Sequence, residues 1–85
     1  MNPYFSLSEK VYDLTERYPE LIELLAANGF EPLRSDMMRK TVGRTISVES
    51  ALKSKQIDPQ AFEVKMVEAI ELSRADHAPN REPKS

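Results

Sequence analysis

Cysteine is absent from the 85-residue chain, so no disulfide and no thiolate ligand can brace the fold. The same absence suits a reducing compartment, and the cytoplasm is the expected location. Glycine occurs only twice, at Gly29 and Gly43, so a glycine-rich phosphate cradle is excluded. One histidine, His77, leaves no set of imidazoles for structural zinc, haem or di-iron. No apolar run approaches membrane-spanning length, and no basic stretch leads into an apolar one at the front, so neither a membrane span nor a signal peptide is expected.

Charge of one sign is also lacking, since the formal net charge is -2. The distribution is nevertheless uneven. Residues 1–33 hold six carboxylates against Lys10 and Arg17, whereas residues 34–55 hold Arg34, Arg39, Lys40, Arg44, Lys53 and Lys55 against Asp36 and Glu49. A basic middle between acidic ends can dock on its own flanks or meet an acidic partner.

No stretch alternates apolar and polar residues for the length of a strand, so helices are the default. The residues predict an all-α bundle of about five short helices, with one domain over residues 1–74 and a disordered tail over residues 75–85. Ser8 is placed to cap a first helix on which Val11, Leu14 and Tyr18 share a face and Asp13 pairs with Arg17 one turn on. Pro19 opens a second helix whose Leu21, Ile22, Leu24 and Leu25 form an arc wide enough to centre the core. Asn28 and Gly29 close it, and Phe30 follows as the apolar lock.

Pro32 delays the third helix, which Ser35 and Asp36 cap, which runs to about Thr41 with Met37 or Met38 inward, and which Gly43 ends. Ser47 caps a fourth helix, with Ile46 stapling back toward Ala51. Asp58 and Pro59 start the last and longest helix, where Phe62, Met66, Ala69, Ile70 and Ser73 share one face. Met37, Met38 and Met66 are expected as core filler.

No catalytic constellation emerges. His77 sits in the expected tail, where a general base cannot be pre-organised, and the pairs Glu20/Glu23 and Glu68/Glu71 fall on expected wet faces, without the desolvation that general acid–base work requires. The chain is therefore expected not to be an enzyme and to hold no cofactor.

One segment, Met37 to Ser47, carries more. Three cations surround a glycine turn leading into a capped helix start, where free amides and the helix dipole favour an anion. Arg39, Lys40 and Arg44 would supply charge, Thr41, Thr45 and Ser47 hydroxyls, Gly43 the turn, and amides near Ser47 the orientation. The alternative is that Arg39 and Arg44 tie the segment to Glu20 or Glu23 of the second helix.

The order Tyr18-Pro19-Glu20-Leu21, Asn28-Gly29-Phe30, Pro32-Leu33 and Met38-Arg39-Lys40-Thr41-Val42-Gly43-Arg44 resembles the small bacterial helical family known as domain of unknown function 1858, over residues 5–72. The resemblance implies a multi-helix fold, found alone or at the front of larger proteins with sensor or hemerythrin-like parts, with no established enzymatic activity. Related domains linked with hybrid-cluster and iron–sulfur repair proteins place a Cys-x-x-Cys pair just after the glycine. Here that stretch, Gly29 to Ser35, has no thiol, so their thiol chemistry is excluded.

Three functions are in play. The first is a non-enzymatic binding or regulatory module for an anionic small molecule or an acidic protein surface. The second is a homodimer or adaptor built on an exposed patch of Phe5, Phe30 and Leu33. The third is nucleic-acid binding, disfavoured by an acidic isoelectric point, about 5.4, and by the want of stacking aromatics near the cations.

Overall fold

The computed structural model describes residues 2–76, and in it every regular element is helical. The order is α1 Val11–Arg17, α2 Glu20–Ala27, a 3-10 turn Glu31–Arg34, α3 Asp36–Thr45, α4 Val48–Ser54 and α5 Pro59–Asp76. The all-α class and the five helices agree with the expectation. Helix α5 is the longest at 18 residues and runs through residues 75 and 76, past the expected boundary. The remainder of the expected tail, with His77, lies outside the described residues. Among those described, no helix is long and apolar enough to cross a membrane.

Leu21 and Leu25 of α2 are buried at the centre, Ile22 and Leu24 are half-buried, and Leu14, Val48, Leu52, Met66 and Ile70 close around them with essentially no exposure. Each such side chain contributes roughly 1.5–3 kcal/mol of burial free energy. The end of α2 follows the sequence closely: Gly29 has φ +107°, its amide reaches the Ala26 carbonyl, and the Phe30 amide donates to Leu25 at 3.0 Å. That double closure aims the Phe30 ring into the core. The start of α5 also agrees, with Asp58 Oδ1 accepting from the Gln60 amide at 3.2 Å.

Three local expectations are corrected. Ser8 does not cap α1, which begins at Val11 after Lys10 without a side-chain cap. The backbone there is committed elsewhere: the Val11 amide donates to Ile46 at 3.0 Å and the Val48 amide to Glu9 at 2.9 Å, in an isolated bridge between Lys10 and Ser47. Arg17 does not pair with Asp13. Its Nη1 donates to Glu9 at 2.6 Å and its Nη2 to the Tyr4 carbonyl at 2.9 Å, so it fastens the N-terminal segment instead. Phe5, Phe30 and Leu33 form no exposed patch, being 7%, 8% and 7% exposed within the core.

The N-terminal segment is held by further bonds. Asn2 Oδ1 accepts from the Tyr4 and Phe5 amides, the Tyr18 hydroxyl donates to the Tyr4 carbonyl at 3.2 Å, and the Tyr4 hydroxyl donates to Glu71 of α5 at 3.1 Å. Partial burial, followed by that bond to the Glu71 carboxylate, raises the Tyr4 pKa.

Candidate functional site

Ser35 caps α3 as expected, its Oγ accepting from the Met38 amide at 3.4 Å. The helix does not stop at Thr41, however, and Gly43 does not end it. Gly43 lies inside α3 against α1, where a Cβ would stand 3.2 Å from the Tyr12 amide nitrogen and 3.5 Å from its Cα. The glycine is there for close helix approach, and the expected turn is a continuous helix.

The groups assigned to an anion pocket are therefore dispersed. Arg39 is buried, its Nη1 donating to the carbonyls of Leu33 at 2.7 Å and Arg34 at 3.0 Å and its Nη2 to Asp36. Its Nε is the one buried side-chain polar atom without a partner among the described residues. The Thr41 hydroxyl donates to its own helix at the Met37 carbonyl, 2.8 Å, and Thr45 likewise at Val42, 2.8 Å. Ser47 accepts from the Ser50 amide at 3.1 Å, and the Val48 and Glu49 amides donate to Glu9 and Leu7 carbonyls at 2.9 Å. The first turn of α4 thus has no amide left to orient an anion.

Only Lys40 and Arg44 of the expected cations on α3 remain exposed, one turn apart on the helix surface. The Arg44 guanidinium lies 4.4 Å from the Tyr12 ring centroid. Such stacking fixes its direction and leaves its edge donors available. Nor do Arg39 and Arg44 reach Glu20 or Glu23. Glu23 accepts from Arg34 at 2.8 Å, and Arg34 also pairs with Glu31, so this arginine brackets the 3-10 turn. The bond to Arg34 holds the Glu23 carboxyl below its ordinary pKa, and the same partner raises Arg34.

Sequence reading missed a cleft of about 250 Å³ between the 3-10 turn, α3 and the second half of α4. Phe30, Pro32 and Leu33 form one wall, Met38, Val42 and Ile46 a second, and Val11 and Ala51 the floor, with Gly29, Ser54 and Lys55 at the margin. Met38 is thus the inward methionine, whereas Met37 is 73% exposed and fills no core. Lys55 is the only charged residue in the lining, its Nζ 5.8 Å from the Phe30 centroid and its stem against Gly29. At about 100° per residue, Lys40 and Arg44 project from the far side of α3 from residues 38, 42 and 46, so they do not border this cleft.

Chemically the cleft presents apolar surface with one ammonium group at its margin. No group of acidic or histidine side chains capable of holding a metal occurs among the described residues. Among the described residues, the two carboxyl groups with displaced pKa values, Glu9 and Glu23, are both lowered by arginines, the opposite of a desolvated general acid. The cleft is also smaller than the roughly 300–1,000 Å³ typical of cofactor and drug-sized sites, and fits one or two apolar side chains.

The stretch Gly29 to Ser35 supplies the first wall of the cleft and the 3-10 turn. No curated protein and no solved structure gives a significant match to the chain. The profile of domain of unknown function 1858 (DUF1858) matches residues 5–62, more than half of the sequence, from the buried Phe5 to Phe62 in the first turn of α5. The chain belongs to the DUF1858 family.

Proposed function

We propose that this domain is a non-enzymatic docking module of the cytoplasm whose apolar cleft receives an apolar side chain from an acidic partner segment. The observation that carries the reading is the cleft itself, an apolar concavity of about 250 Å³ with a lone lysine at its margin. A leucine or phenylalanine side chain fills such a space, and a carboxylate beside it meets Lys55 at the rim, where the ion pair adds selectivity more than affinity. Phe30 and Leu33 are already positioned by the α2 cap and by the Arg39 clamp on the 3-10 turn, so binding requires little ordering of the domain.

The test is an amide-shift titration with a ten-residue peptide carrying one leucine flanked by glutamates. Shifts centred on Phe30, Leu33, Val42 and Ile46 are expected. Leucine-to-alanine replacement in the peptide should abolish them, and K55E should weaken binding several-fold. Signals that stay in place at the cleft overturn the reading.

A second reading rests on Lys40 and Arg44, which have no carboxylate partner among the described residues and face solvent together on α3. They suit a diffuse acidic surface or a phosphate group in place of the dismantled pocket. Shifts confined to residues 40 and 44 on titration with inorganic phosphate, lost in R44A, support it.

A further inference from the structure

Helix α5 has apolar residues on two sides. Phe62, Met66 and Ile70 face the core, yet Val64 is 58% and Leu72 is 68% exposed. On the solvent side Ala61, Lys65, Glu68 and Leu72 are all exposed and Ala75 half-exposed. Their spacing of four, three, four and three places them within an arc of about 80°, the seam pattern by which one helix packs along another. Lys65 and Glu68 have no partner among the described residues.

We infer that this face of α5 is a self-association surface, and that its occupant is α5 of a second copy, antiparallel, across a two-fold axis. The charges and the side-chain sizes select that arrangement. With the axis midway between Lys65 and Glu68, Lys65 of each copy faces Glu68 of the other, twice, and Leu72 lies over Ala61, twice, a large residue against a small one. A parallel pair opposes lysine to lysine and glutamate to glutamate. A shift by one heptad opposes Glu68 to Leu72. The antiparallel register is thus the one that matches Ala61, Lys65, Glu68 and Leu72, with Ala75 beyond the end of the overlap. Val64 flanks the seam and adds apolar area. A single helix pair falls short of the roughly 1,200 Å² of total buried area at which stable interfaces begin, so the dimer is weak and forms at high local concentration. The face is separate from the cleft and does not depend on it.

Sedimentation across roughly 10 µM to 1 mM, the range in which an association of this size titrates, tests the inference. The mass should rise from monomer toward dimer. K65E and E68K, each opposing like charges across the axis twice, should each weaken association by about tenfold while leaving the circular dichroism spectrum unchanged. An equimolar mixture of K65E with E68K should recover it, because both cross-pairs re-form in the mixed dimer. A chain monomeric throughout the range, single variants that associate like the parent, or a mixture no stronger than its components overturns the proposal.

Discussion

At the residue scale, Gly43 and Arg39 do opposite work from that which their neighbours in sequence suggest. Alanine in place of a helix-interior glycine ordinarily gains about 1 kcal/mol from propensity. At Gly43 the new methyl meets the backbone nitrogen of Tyr12 at 3.2 Å, and the start of α1 is pinned by its bonds to Ile46 and Val48. Overpacking of about 1–3 kcal/mol therefore exceeds the gain. G43A should lower the urea midpoint, corresponding to a net loss of about 1 kcal/mol. Arg39 closes the carbonyls of Leu33 and Arg34, which no other side chain reaches. R39M leaves them unmet at a cost of about 1–3 kcal/mol, and amide exchange at Leu33 and Ser35 should accelerate more than exchange in α5.

The contrast among residues also shows how far the chain was legible. Asn28-Gly29-Phe30 read correctly because a glycine at a left-handed helix end has a local cause. Gln56, with φ 60°, ends α4 in the same way, its amide donating to Lys53 and that of Ile57 to Leu52, and it gave no signal because glutamine is not a left-handed former. Gly43 was misread since a terminator and a close-approach glycine look alike until the partner helix is placed.

At the element scale, caps at Ser35 and Ser47 were legible, whereas the expected cap at Ser8 does not form, because long-range backbone bonds claim the start of α1. The 3-10 turn and the cleft were hidden for a related reason: their walls come from three elements whose relative placement no local pattern encodes. The N-terminal segment is likewise an element by virtue of its ties, above all Arg17 to Glu9. That hydrogen bond, with a smaller one from the Ser6 amide, holds the Glu9 carboxyl below its ordinary value of 4.5. Unfolded Glu9 takes up its proton first, so its stabilisation is full above about pH 5 and fades as pH falls through the folded value. E9Q should flatten that part of the acid limb in urea midpoints measured downward from about pH 5, and an unchanged slope counts against the tie.

For the whole molecule, the expected all-α fold and its core centred on α2 were readable from helical periodicity, while the burial of Phe5, Phe30 and Leu33 was not. Phe5 looked peripheral because nothing near it in sequence is apolar enough to hide it, yet the segment carries it to the core at 7% exposure. A domain of this size retains on the order of 4–11 kcal/mol in total, at roughly 0.05–0.15 kcal/mol per residue. F5A, costing about 3 kcal/mol or more, removes a large share of that. Its thermal transition should fall by well over ten degrees or be lost, whereas truncating the exposed Met37 should leave it in place.

The bridge joining Glu9 and Val11 to Ile46 and Val48 has an implication for the order of events at the ribosome. Residues 7–11 emerge before their backbone partners and find them only after residue 49 has cleared the exit tunnel, so this segment waits on chain synthesised almost forty residues later. A stall or an early stop before that point leaves residues 7–11 unmoored, with Phe5 still in water and available to whatever holdase chaperone is near.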